Sequence, residues 1–266
     1  MEERQRIIDT LKRGLQNDEN ICALWLEGAD GLGRADSFSD LDVWVDVADG
    51  YEQDALDKCG ALLSQIGRIS YTESEKHDPR LFGRVFHIEN TSEFLLIDIC
   101  VQSHSRGSLG CTFYADDIAE FPLVLFDKAE VVKILPPDPI PSAHIKPVFE
   151  KCVARFNRRK KLIQFIRRGK YIESLHYFEE YVRFPIICML RLIYTPRHYE
   201  YHYMHLSDHL PKQVIKELEQ LYKTECVEDI EFLLEKANTI YYEAYNALKG
   251  LLEQQEEGFA EEIELL

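Results

Sequence analysis

None of the seven cysteines sits in a Cys-x-x-Cys pair. They fall at 22, 59, 100, 111, 152, 188 and 226, an odd number and mostly in apolar surroundings. That pattern fits reduced, largely buried thiols in a cytoplasmic protein rather than a disulfide framework or a zinc site. Long hydrophobic runs are missing too: the longest purely apolar one, Phe184 to Leu190, is far too short to span a bilayer, so no membrane partner is expected. The opening Met1-Glu2-Glu3-Arg4 has no secretory pattern and runs straight into a charged helix. Positive charge is scarce, with 31 Lys and Arg against 47 Asp and Glu and a net charge of −16. This disfavours nucleic acid as a partner, because phosphates must be met by cations. The same field would concentrate a polycationic small molecule, and serves simple solubility equally well. Gly-x-x-x-x-Gly-Lys-[Ser/Thr], Gly-x-Ser-x-Gly and His-Glu-x-x-His are all absent, so P-loop, hydrolase-elbow and zincin chemistry have no foothold.

What is present is a chain of 266 residues, 45% hydrophobic and 29% charged, the composition of a soluble globular protein with one large or two modest domains. It is organised around residues 21–47, ICALWLEGADGLGRADSFSDLDVWVDV. An apolar run from Ile21 to Leu26 breaks at Gly28 and passes through a polar loop holding Gly31 and Gly33. It resumes as an alternating run at Asp40-Leu41-Asp42. Successive strand side chains point to opposite faces, so Asp40 and Asp42 project from the same one. Two carboxylates that close repel unless a cation lies between them or one takes a proton, and hard oxygen donors suit Mg²⁺ above all. The glycines ahead of them allow a tight turn and close approach of a phosphate.

The rest of the first half reads as helix 2–16, strand 41–47, helix 51–66, then strands near 67–73, 81–88 and 93–101. The order gives an α+β domain with a mixed sheet. Asp98 stands alone in the apolar strand Glu93–Val101, where a carboxylate is costly unless paired or metal-bound, and so joins Asp40 and Asp42 as a candidate. Pro136-Pro137-Asp138-Pro139-Ile140-Pro141 is the clearest linker and sets a boundary between domains 1–138 and 139–266. Beyond it, residues 143–168, 171–194, 211–223 and 227–254 carry helical spacing, an all-α bundle ending in an acidic, exposed-looking tail. Residues 151–170 hold nine Lys and Arg and no acid, mainly a solvated face from which a few could meet phosphate. His198, His202, His205 and His209, spaced by 4, 3 and 4, would fall near one helical face in a Tyr-rich stretch better suited to lining a pocket than to holding metal.

Gly28-Ala29, ten residues, then Asp40-Leu41-Asp42 resembles the signature of the nucleotidyltransferase superfamily, and with Ser39 ahead of Asp40 the extended form found in the aminoglycoside and lincosamide adenylyltransferases. Phe126-Asp127-Lys128, Arg168-Gly169-Lys170-Tyr171 and Leu190–Tyr194 are shorter echoes of the same group. The resemblance implies a nucleotidyltransferase-like mixed-sheet domain followed by a helical substrate-binding domain. It implies Mg²⁺, ATP or another nucleoside triphosphate as co-substrate, and transfer of a nucleoside monophosphate to a hydroxyl of a small acceptor such as an aminoglycoside-like antibiotic. Asp40 and Asp42 would hold metal, and Asp98 would complete the metal site or take a proton. Gly28, Ala29, Ser39 and Arg34 would lie on the nucleotide. In some relatives the base comes from the helical domain, which brings in Glu179 and Glu180. Ala29 replaces a small hydroxyl residue, and Asp30 adds a negative charge beside the phosphate cradle. Both keep open an alternative, a catalytically degenerate module that binds nucleotide or a protein partner. A toxin-type nucleotidyltransferase acting on protein or RNA fits the length and acidity less well.

Overall fold

The computed structural model describes residues 2–108 and 110–264, with the side chains of 75–78 and 255–264 outside the described set; the acidic end of the chain falls there. It divides into two compact units, Met1–Asp138 and Pro139–Leu266.

The first unit runs α1 (Glu2–Leu15), β1 (Ile21–Leu26), a single turn α2 (Gly28–Gly31), β2 (Leu41–Val47), α3 (Glu52–Ser64), β3 (Ile69–Asp78), β4 (Leu81–Ile88) and β5 (Ile97–Ser103). Three short strands follow, β6 (Thr112–Tyr114), β7 (Leu123–Asp127) and β8 (Lys133–Leu135). Six strands form one mixed sheet in the order β3-β4-β5-β2-β1-β7, and β6 pairs with β8 apart from it. Within the large sheet β2 and β5 are parallel and the other neighbours antiparallel.

Strand alternation divides this sheet chemically. Leu41, Val43, Val45 and Val47 of β2 and Ile97, Ile99 and Val101 of β5 face one core, closed by Ile7, Ile8, Leu11 and Leu15 of α1 and Leu56, Cys59 and Leu63 of α3. The residues between them, Asp42, Trp44 and Asp46 on β2 and Asp98, Cys100 and Gln102 on β5, fall on the opposite face. The register sets them side by side: Asp42 with Asp98, Trp44 with Cys100, Asp46 with Gln102. β5 starts at Ile97 rather than Glu93, because Ser92–Leu95 closes a turn in which the Leu95 amide donates to the Ser92 carbonyl (3.0 Å).

The second unit is helical: α4 (Ser142–Asn157), α5 (Lys160–Ile166), α6 (Tyr171–Phe178), a π-turn (Glu179–Arg183), α7 (Phe184–Tyr194), a 3₁₀ segment (Pro196–Tyr201), α8 (Leu206–His209), α9 (Lys212–Gln220) and α10 (Val227–Glu264). α7 is buried on every side from Pro185 to Leu192, the mark of a central helix. The single helix expected over 143–168 is instead two, separated at Arg158-Arg159. Among the described residues no helix is long and apolar enough to cross a membrane.

Candidate functional site

The register sets Asp98 beside Asp42 where β2 begins, with Asp40 just ahead of the strand. Asp40 is exposed just ahead of the strand, and Asp42 and its neighbour Asp98 are half-buried. Burial raises the Asp42 carboxyl to about 6, and the charges of Asp40, Asp98 and Asp30 push the same way, with Arg4 opposing. Asp40 and Asp98 are thus near enough for their charges to act on Asp42. Their hard oxygens, mutually repelling, match what a divalent cation such as Mg²⁺ requires.

The loop from β1 closes over this group. Gly28 has φ +55°, and a Cβ there would lie 2.0 Å from Asp42 Oδ2. The Glu27 amide donates to the Asp42 carbonyl (3.1 Å), which fixes the turn against β2. Gly31 is needed for a different reason, since its Cβ would sit 1.8 Å from the Phe121 carbonyl oxygen. The amides of Gly31, Leu32 and Arg34 donate within the loop, to Glu27, Gly28 and Ala29. A Gly28→Ala variant is expected to lose about 1–2 kcal/mol from its left-handed φ alone, and to displace the Asp42 carboxylate as well. Urea unfolding and Mg²⁺ titration check this; a Gly28→Ala protein with wild-type stability and metal response would contradict it.

Asp30, which by sequence adds charge beside the phosphate cradle, has its charge matched from α1. Arg4 Nε donates to Asp30 Oδ1 (2.9 Å), Nη1 donates to the Ser39 carbonyl (2.9 Å), and Nη2 reaches both Asp30 Oδ2 and the Asp40 carbonyl. The two side chains are only 5% and 9% exposed. One guanidinium thus ties the glycine turn to the backbone that presents Asp40. Ser39 spends its hydroxyl elsewhere, donating to Asp36 Oδ1 (3.0 Å) and accepting from the Asp36 amide (3.0 Å). Ala29 is half-buried beside Gly28, and Arg34 is exposed in the loop.

Sequence reasoning passed over Glu27. Burial raises its carboxyl to about 8, Glu120 and Asp42 adding and Arg106 opposing, while the Trp25 Nε1–H donates to Glu27 Oε1 (2.7 Å). A carboxylate directly after a fully apolar strand was the available signal. Cys100, next to Asp98, has its thiol pushed up to about 12 by burial, with Asp98, Glu27 and Asp42 contributing.

In the second unit Glu179 and Glu180 are both engaged. Arg183 Nε lies 2.9 Å from Glu179 Oε2, the Tyr203 hydroxyl donates to Glu179, and Arg155 donates to Glu180 (2.6 Å). Burial raises the Glu179 carboxyl above its ordinary range. Several cations of the basic helix lie over rings: Arg155 over Phe184 (4.3 Å), Arg159 over Phe156 (4.3 Å) and Lys161 over Tyr177 (4.7 Å). The four histidines do not share a helical face. His202 and His205 take φ of 43° and 51°, which break the path twice. Buried Arg191 gathers the segment by donating to the His202 carbonyl (2.9 Å), and its Nη1 lies 2.9 Å from His209 Nδ1.

No protein-family model and no curated protein matches the chain. Among solved structures it is similar to an aminoglycoside 6-adenyltransferase from Bacillus subtilis, at 14% identity and a TM-score of 0.43, over 98% of this chain and 97% of that one. It is also similar to a spectinomycin adenyltransferase from Enterococcus faecialis solved with ATP and spectinomycin, at 13% identity and a TM-score of 0.34, over 94% and 99% of the two chains.

Proposed function

We propose that this chain is a Mg²⁺-dependent nucleotidyltransferase that moves a nucleoside monophosphate, AMP from ATP foremost, to a hydroxyl of a small cationic acceptor. The observation that carries the reading is the parallel register that sets Asp98 beside Asp42, with Asp40 two residues up the chain. The donor chemistry fits the metal: burial raises Asp42 to about 6, and the like charges of Asp40 and Asp98 push the same way. Asp40, Asp42 and Asp98 would hold Mg²⁺, which when bound neutralises triphosphate charge and stabilises the attacking and leaving oxygens.

The chain's own groups divide the remaining work. Gly28 brings the backbone to the carboxylates without a side chain in the way. Ala29 offers no hydroxyl, so phosphate contacts at this turn fall to backbone amides. Arg4 answers the charge of Asp30, which supports the catalytic reading over a silent fold. Asp98 either completes the metal site or takes the acceptor's proton. The second unit is assigned to the acceptor, where Glu179 and the rings of Tyr203, His202 and Phe184 offer an acid and aromatic faces to a cation.

Thermal unfolding with Mg²⁺ and each nucleoside triphosphate tests the reading. A ligand far above its dissociation constant should stabilise the wild type by about 2–4 kcal/mol, and only with Mg²⁺ present. Asp40→Asn/Asp42→Asn should show no such gain. A wild type that responds to no nucleotide, or equally with and without Mg²⁺, would favour the non-catalytic module instead.

A further inference from the structure

We propose that Cys22, Asp46 and His104 form a second cation site, distinct from the Asp40–Asp42–Asp98 group, whose ion is Zn²⁺. Cys22 lies in β1, Asp46 near the end of β2, and His104 opens a 3₁₀ turn (His104–Arg106) directly after β5. Their donor atoms, a thiol sulfur, a carboxylate oxygen and an imidazole nitrogen, all lie within 4.8 Å of one another. Bonds of about 2.0–2.3 Å in a tetrahedron put ligand atoms roughly 3.3–3.8 Å apart, so the three are almost in place. His104 Nδ1 is 2.7 Å from Asp46 Oδ1, closer than two ligands of one ion, and must swing out slightly. It can do so, because its side chain is 51% exposed while that of Asp46 is 1% exposed.

The surroundings are those of a held ligand. Gln102 Nε2 donates to Asp46 Oδ2 (2.7 Å) and Arg106 Nη1 donates to Gln102 Oε1 (2.8 Å), so an outer layer fixes the carboxylate. A fully buried carboxylate also needs a counter-charge, which a divalent ion supplies better than a half-exposed imidazole. Sulfur with imidazole selects Zn²⁺ over Mg²⁺, whose partners are hard oxygens. Binding forms the zinc–sulfur bond and releases the Cys22 thiol proton to solvent, and water fills the fourth position on the open, His104 side. Asp46 is four residues along β2 from Asp42, about 13 Å, with the stacked Trp25 and Trp44 rings between the two sites. The spacings of 24 and 58 residues between Cys22, Asp46 and His104 match no zinc motif, so only the fold brings these donors together.

Co²⁺ titration of the full-length protein tests this, in a Cys226→Ser background because Cys226 is the exposed thiol. One equivalent should give thiolate-to-cobalt absorption that Zn²⁺ abolishes and excess Mg²⁺ leaves intact. Cys22→Ser, near-isosteric and checked for folding by circular dichroism, should lose the band. His104→Ala, a half-exposed position that folding tolerates, should weaken binding at least about tenfold, and Asp40→Asn/Asp42→Asn should retain it. No band at one equivalent, a band that survives Cys22→Ser, or one lost with Asp40 and Asp42 would overturn the proposal.

Discussion

Asp42→Asn is expected to cut nucleotidyl transfer at least about a thousandfold, roughly 4 kcal/mol of barrier, while the protein stays folded. In metal-free buffer at pH 7 it should also raise the thermal midpoint. The carboxyl stands at about 6 in the folded chain against its ordinary 3.8. A group raised by folding contributes stability that is fully present below the lower value and is lost as pH rises through the higher one. At neutral pH the ionised, half-buried Asp42 therefore costs on the order of 2–3 kcal/mol at most, and an amide escapes that cost. Mg²⁺ with nucleotide should reverse the ranking, stabilising the wild type and not the variant. Protons compete for the same oxygens, so the metal's stabilising effect should fade as pH falls below about 6. Pyrophosphate release and paired melting curves check all three outcomes; a fully active Asp42→Asn enzyme would sink the assignment of Asp42.

Arg4→Ala is expected to destabilise the first unit by about 3–5 kcal/mol. Its side chain and that of Asp30 are 5% and 9% exposed, so truncation strands a buried carboxylate. It also removes a donor from the carbonyls of Ser39 and Asp40, and so loosens the backbone that presents Asp40. Arg4→Ala/Asp30→Ala should recover a large share, because the stranded charge is then gone. Urea unfolding of the four proteins in this cycle gives the coupling directly. A loss under about 1 kcal/mol for Arg4→Ala would mean that the pair does not brace the loop.

The parts of this site that depend on short-range periodicity were readable beforehand. Alternation singled out Asp40 with Asp42, although Asp40 lies just ahead of β2, and Gly28 was readable as a turn glycine, but its closeness to the Asp42 carboxylate was not. The pairing of Asp42 with Asp98 was not, since a parallel register between strands so far apart in sequence is set by the sheet and not by either strand. Asp98 stood out only as a lone acid among apolar neighbours. Arg4 was invisible: it looks like one more charge on a polar helix, and only the packing of α1 turns it inward to Asp30. Periodicity misled at His202 and His205, where positive φ values break a path that spacing alone makes continuous. The start of β5 was placed too early because Phe94-Leu95-Leu96 is apolar enough to pass for strand.

Trp25 and Trp44 are the only tryptophans in the chain, and their rings stack at 5.8 Å and 17° on the acid-bearing face of the sheet. All indole emission therefore originates from one coupled pair in the first unit, one ring of which is hydrogen-bonded to Glu27. Fluorescence will follow the melting of residues 1–138 and be blind to the helices of 139–266, whereas ellipticity near 222 nm will weight those helices heavily. The two halves of the molecule thus come with separate optical labels, and whether they unfold together or in turn can be read without adding a probe.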